Sequence, residues 1–121
     1  MATDEIPTDA FDFPLALGVS DPDGTVHTQG DERAVFPLAS VSKPIAALGA
    51  LMAVDRGLVD LDEPAGPEGA TVRHLLAHTA GYGFEGEDVL SKPGARRIYS
   101  NTGFEVLAAH VEQATGYDYP E

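Results

Sequence analysis

The stretch Phe36-Pro37-Leu38-Ala39-Ser40-Val41-Ser42-Lys43, continued by Pro44-Ile45-Ala46-Ala47-Leu48-Gly49-Ala50-Leu51-Met52-Ala53-Val54, decides how the chain is read. The 21 residues from Ala34 to Val54 carry one charge, Lys43, in a chain that has 7 Lys+Arg and 20 Asp+Glu. Ser40 precedes that lysine by three positions, a spacing that puts both side chains on one face of a helix. An amine beside a hydroxyl is one way to make serine nucleophilic, because the amine can accept its proton. The bland alternatives are a helix cap at Ser40 and a buried helix whose lysine snorkels to water. A membrane span is excluded by length: from Pro44 only 11 residues remain before Asp55, against the 18 or more a span needs.

The flanking signals predict a helix from this stretch to about Arg56. Pro44 is tolerated in a first turn, where amide donors have no partner, and Gly57 is placed to cap the end. Ile45, Leu48, Leu51 and Met52 follow helical spacing, and Ala46, Ala47 and Ala50 fill the other faces. A helix apolar nearly all round implies a central, buried position.

Upstream, Phe13–Val19 and Thr25–Gln29 read as two strands joined by Asp21-Pro22-Asp23-Gly24, a strong turn sequence. Met1–Asp12 is expected to be an acidic, loose arm. Downstream, Gly57–Pro64 reads as a turn and an extended piece, and Thr71–His78 as a short helix with Thr71 at its N-cap. Thr79–Gly94, with five glycines or prolines, reads as a mobile surface loop. A third helix starts with Asn101 or Thr102 as cap, buries Phe104, Leu107, Ala108 and Val111, and ends at Gly116. Tyr117–Glu121 has the character of a further helix start. Two short strands do not make a sheet that is stable alone, so the chain reads as the front part of a larger fold.

Composition bounds the function. With 121 residues and 43% hydrophobic side chains, the chain can build one modest core. A net charge of -13 repels nucleic-acid phosphates and anionic membrane surfaces. There is no cysteine, so disulfides and thiolate chemistry are out. The acidic first residues lack the basic, apolar leader of a signal peptide, so a cytoplasmic location is expected unless a leader was removed. The sequence does not indicate an oligomeric state. His74-Leu-Leu-Ala-His78 has the i, i+4 spacing zinc can use, but a metalloprotease needs Glu after the first His, and Leu75 stands there. His74 and His78 read as structural, and His27 and His110 as solvated.

Tyr99-Ser100-Asn101 completes the pattern. Ser40-Val41-Ser42-Lys43 on an apolar helix, followed later by Tyr-x-Asn, resembles the serine β-lactamase and penicillin-binding superfamily. The likeness is to class C β-lactamases, D-alanyl-D-alanine carboxypeptidases and their esterase relatives. Phe36-Pro37-Leu38-Ala39, Gly57-Leu-Val-Asp-Leu-Asp-Glu-Pro64 and Val72-Arg-His-Leu-Leu-Ala-His-Thr-Ala-Gly81 support it, so that it covers about Leu15 to Gly116.

The resemblance implies an α/β (α+β) fold of the β-lactamase/transpeptidase type, here its N-terminal portion as a single partial domain over 1–121. It also implies a serine hydrolase acting on an amide, lactam or ester. Ser40 would be acylated and Lys43 would accept its proton. Tyr99 would share or take the acid/base role, and Asn101 would bind Lys43 and the substrate amide. One oxyanion donor would be the Ser40 backbone amide. No cofactor is implied, since nucleophile and base are both side chains. Other branches of the superfamily have Ser-Asp-Asn where this chain has Tyr-Ser-Asn, and Tyr there points to the class C-like branch. The third family motif, Lys/His-Thr/Ser-Gly on a later strand, is not found, and Lys92-Pro93-Gly94 does not supply it. Two alternatives therefore stand beside turnover: a penicillin-binding or sensor-like module that is acylated without turnover, and an inactive fragment.

Overall fold

The computed structural model describes residues 7–118, and the chain divides into two compact units, residues 1–38 and 39–121. The expected further helix at the C-terminus falls partly on residues 119–121, and the expected loose arm partly on residues 1–6. Those positions lie outside the described residues.

The first unit is a hairpin. After a 3-10 turn over Thr8–Ala10, β1 (Ala16–Ser20) pairs antiparallel with β2 (Val26–Gly30), with Leu17 opposite Gln29 and Val19 opposite His27. The turn is held by Asp21. Its carboxylate accepts the amides of Asp23 (3.0 Å) and Thr25 (2.9 Å), and its carbonyl accepts that of Gly24 (3.1 Å). Gly24 takes φ +84°, where a side chain would be strained. The first strand starts at Ala16 rather than Phe13, since Pro14 has no amide to donate to a ladder. Leu17 and Gln29 are half-buried, and the other strand residues are exposed.

The second unit carries three α-helices: α1 (Ser42–Asp55), α2 (Val72–Leu76) and α3 (Asn101–Thr115). A 3-10 turn, Ala39–Val41, leads into α1. The end of α1 is a Schellman motif: the Gly57 amide reaches the Val54 carbonyl (2.9 Å) and the Leu58 amide the Ala53 carbonyl (2.9 Å), with Gly57 at φ +71°. A core of Ala50, Ala53, Val59, Ala65, Ala70, Val72, Leu75, Ala80, Leu107 and Val111 joins all three helices. Among the described residues, no helix is long and apolar enough to cross a membrane.

The second unit departs from expectation at several places. The long helix is not buried all round: only Ala50 and Ala53 are buried on it, while Ile45, Leu48, Leu51 and Met52 are exposed. Small residues let α1 approach α3, and that close approach leaves the larger side chains on the outer face. The second helix stops at Leu76, because Ala77 is its C-cap and His78 turns to φ +58°. The cap of α3 is Ser100, whose hydroxyl accepts the Gly103 amide at 2.9 Å. His110 is half-buried, its Nε2 2.6 Å from Glu63.

The Thr79–Gly94 surface loop is itself structured. Tyr82 and Val89 form a bridge, the Leu90 amide bonds the Gly81 carbonyl (2.8 Å), and Ala80, Gly81 and Gly83 are buried.

Candidate functional site

All four candidate residues lie in the second unit, at the N-terminal ends of α1 and α3. Ser40 sits in the 3-10 turn, one position before the Val41 N-cap, and is exposed. It is not itself a side-chain cap. Ser40 and Lys43 keep their three-residue spacing, but Ser40 stands in the 3-10 turn and Lys43 in α1, which starts two residues after Ser40. Ala39, just before it, takes φ +47°. That is the left-handed region, uncommon for a residue with a Cβ. The Ser42 hydroxyl donates to the Ala39 carbonyl at 2.7 Å and braces the turn. The positive end of the α1 dipole faces the Ser40 region.

Lys43 is half-buried in the first turn of α1. Its Nζ donates to Asn101 Oδ1 at 2.6 Å and stands 4.9 Å from the centroid of the Tyr99 ring. An amide oxygen and an aromatic face are both good partners for an ammonium. Residues 58 positions apart in sequence are thereby joined.

Tyr99 and Asn101 flank the Ser100 cap. The phenol of Tyr99 is pushed below its usual range, first by hydrogen bonding to Ser40, then by hydrogen bonding to Lys43, with the positive charges of Lys43 and Arg97 adding to the effect. A phenol in this setting gives up its proton more readily than a free tyrosine. Asn101 also donates from Nδ2 to Glu85 Oε1 at 3.3 Å, and its backbone amide bonds the Phe84 carbonyl at 2.8 Å.

Two contributors are not singled out as site residues in the sequence, where His78 reads as structural. His78 is buried beneath Tyr99, with ring centroids 4.7 Å apart, and beside Phe104, 5.0 Å away. Its Nδ1 accepts the Ser100 amide at 3.0 Å and its carbonyl accepts the Ile98 amide at 2.8 Å. His78 thus holds the backbone on both sides of Tyr99. Burial, then the charges of Arg97 and Lys43, lower its pKa and favour the neutral ring that can accept at Nδ1. The second is Glu85, which reads in the sequence only as loop charge. His74 is occupied too: its Nδ1 accepts the Thr71 amide at 3.1 Å. With His78 beyond the end of α2, the two imidazoles do not share a helical face. Among the described residues, no group of three or more potential metal ligands gathers.

Several known proteins are similar to this chain. It is 31% identical to penicillin-binding protein 4* of Bacillus subtilis (strain 168), over 74% of this chain and 27% of that protein. It is 42% identical to the esterase EstB of Burkholderia gladioli, over 44% of this chain and 17% of that one. The crystal structure of a β-lactamase from Mycobacterium bovis superposes with a TM-score of 0.82 at 49% identity, over 89% of this chain and 40% of the other. The chain therefore spans about a quarter of the first of these relatives and two-fifths of the crystallised one. The β-lactamase family model matches residues 13–121. With the helical unit, the hairpin and this match in agreement, the chain belongs to the β-lactamase family, a family of serine-hydrolase type.

Proposed function

We propose that the chain carries the nucleophile-bearing part of a serine acyl hydrolase acting on an amide, lactam or ester. The observation that carries this reading is the convergence at Lys43, which bonds Asn101 at 2.6 Å and lies over Tyr99, whose phenol Ser40 and Lys43 push below its usual range. In the proposed reaction Ser40 Oγ attacks the substrate carbonyl carbon and its proton passes to the Tyr99 oxygen. The tetrahedral oxyanion collapses, the amine or alcohol leaves with a proton returned by Tyr99, and water then hydrolyses the acyl-Ser40 ester. The lowered phenol pKa supports Tyr99 as the immediate base, with the Lys43 charge favouring its phenolate. Asn101 Nδ2 has a second hydrogen, free in this scheme for a substrate carbonyl.

The test is intact-mass spectrometry after incubation with a fluorophosphonate and, in parallel, a penicillin, with Ser40→Ala as control. A Ser40-dependent adduct supports the reading. Loss of the penicillin adduct with time supports a hydrolase, and its persistence supports a penicillin-binding module. No adduct on folded protein overturns the reading for this chain.

The pH dependence follows from the direction of the Tyr99 shift. Acylation is expected to rise with pH through a titration below the ordinary phenol value of 10.0. Lys43→Met is expected to move that titration upward. A rate independent of pH from about 6 to about 10, the range between ordinary His and Tyr titrations, would remove Tyr99 as the base.

A further inference from the structure

We infer that Glu85 is a positioning residue of this site, holding the Asn101 carboxamide in the one orientation that turns Oδ1 toward Lys43. This rests on the reading proposed above for Lys43 and Asn101. An asparagine side chain is ambiguous by construction. Its two amide ends are nearly equal in size, but one only accepts and the other only donates. If they exchanged places, an N–H would face the Lys43 ammonium, which has no acceptor to offer.

Water on the far side of Asn101 would not prevent the exchange, because water both donates and accepts. Glu85 does prevent it, because an ionised carboxylate only accepts. The series Lys43 Nζ to Asn101 Oδ1 (2.6 Å) and Asn101 Nδ2 to Glu85 Oε1 (3.3 Å) therefore runs in one direction, from a group that only donates to a group that only accepts. Reversing the amide would lose both hydrogen bonds together.

Glu85 is held in place for this by the loop that carries it. The Gly83 amide bonds the Asp88 carbonyl (3.3 Å), and the Asn101 amide bonds the carbonyl of Phe84, the residue before Glu85. Phe84 also stacks on Tyr99, centroids 6.1 Å apart. Asn101 is thus gripped at its backbone by Phe84 and at its side chain by Glu85. Gly81 anchors the base of the loop, since a Cβ there would come within 2.2 Å of the Ser91 carbonyl oxygen. Of the acids Glu85, Glu87 and Asp88, Glu85 is the one hydrogen-bonded to a site side chain among the described residues.

The experiment is a double-mutant cycle on the full chain, reading the rate of Ser40 labelling by a fluorophosphonate. Glu85→Ala is expected to slow labelling about fivefold to tenfold, the scale of one partly exposed hydrogen bond. Glu85→Gln, whose amide can accept but can also donate to a reversed Asn101, is expected to recover only part of that loss. In an Asn101→Ala background Glu85→Ala is expected to change the rate by less than about twofold, because the two residues act as one.

Equal slowing in both backgrounds, or none in the parent, overturns the inference. A second readout does not depend on reactivity: the side-chain NH2 pair of Asn101 in a 1H–15N spectrum, identified by its loss in Asn101→Ala. Those signals are expected to move in Glu85→Ala and to stay closer to the parent's in Glu85→Gln. If the parent is not labelled at all, the hydrolase reading fails while this spectrum still decides Glu85. Signals unmoved by Glu85→Ala overturn its role.

Discussion

The helices α1 and α3 are nearly equal in length, 14 and 15 residues, and each brings in a site residue at its start, Lys43 and Asn101. They reach that position by opposite means. The α3 helix is amphipathic, buries Thr102, Gly103, Leu107 and Val111, and has a side-chain cap in Ser100. The α1 helix is the more apolar in sequence, yet it buries only Ala50 and Ala53 and has no side-chain cap. Apolar content alone therefore does not identify the packed face. The packed face of α1 is the one whose side chains are small enough for a neighbouring helix to come close, and its large residues are left outward. The site follows from this: a close α1–α3 approach is what lets Lys43 reach Asn101.

The contrast is broken most directly by truncating one leucine on each helix. Leu107→Ala, at a side chain 1% exposed, is expected to cost about 3 kcal/mol by urea denaturation. Leu48→Ala, at one 60% exposed, is expected to cost less than about 0.5 kcal/mol. Equal costs would mean that the outer face of α1 is covered. Enlarging the inner face is the converse experiment. Ala53→Leu should overpack the α1 side of the core and destabilise by about 2 kcal/mol, with Ser40 labelling slowed as Lys43 is carried away from Asn101.

Capping gives a smaller difference. Ser100→Ala removes the acceptor of the Gly103 amide and is expected to cost about 1 kcal/mol in thermal or chemical melts. Ser42→Ala, which loses only a bond to the Ala39 carbonyl, is expected to cost about half of that. If Ser42 proved the more costly, the strained turn at Ala39 would matter more to α1 than capping does to α3.

The smallest expected effect is a slope with pH. The folded-state pKa of His78 is lowered below its ordinary 6.5, so the unfolded chain binds the proton more readily. Its contribution is full above that value and is lost as pH falls through the lower, folded pKa. Stability should therefore decline on acidification below about 6.5, and His78→Gln should flatten that part of the profile. An unchanged profile would show that His78 binds its proton equally well in the folded and the unfolded chain.

Much of the local structure is legible in the sequence. Asp21-Pro22-Asp23-Gly24 makes its turn, and Gly57 and Gly116 close their helices at φ +71° and +72°, because positive φ and a fixed proline are properties of single residues. The third helix is legible from its i, i+3, i+4, i+7 stripe, of which Leu107 and Val111 are buried and Phe104 and Ala108 only half-buried. Its cap falls one residue before the expected Asn101 because Ser100, Asn101 and Thr102 are all good capping residues, and only the backbone conformation chooses among them. His110 reads as solvated because its neighbours in the chain say nothing of Glu63, 47 positions away, which meets it in the fold.

Residue identity and short spacing fix which chemical groups are available: a hydroxyl three residues before a lone ammonium, and a phenol and carboxamide around a capping serine. Folding in three dimensions settles the rest. It brings Lys43 to Asn101, sets His78 under the backbone around Tyr99, joins Glu85 to Asn101, and turns the alanines of α1 inward. Each of these depends on contacts between segments far apart in the chain, where the gain comes from close packing and from satisfying buried donors and acceptors, and no local preference encodes that.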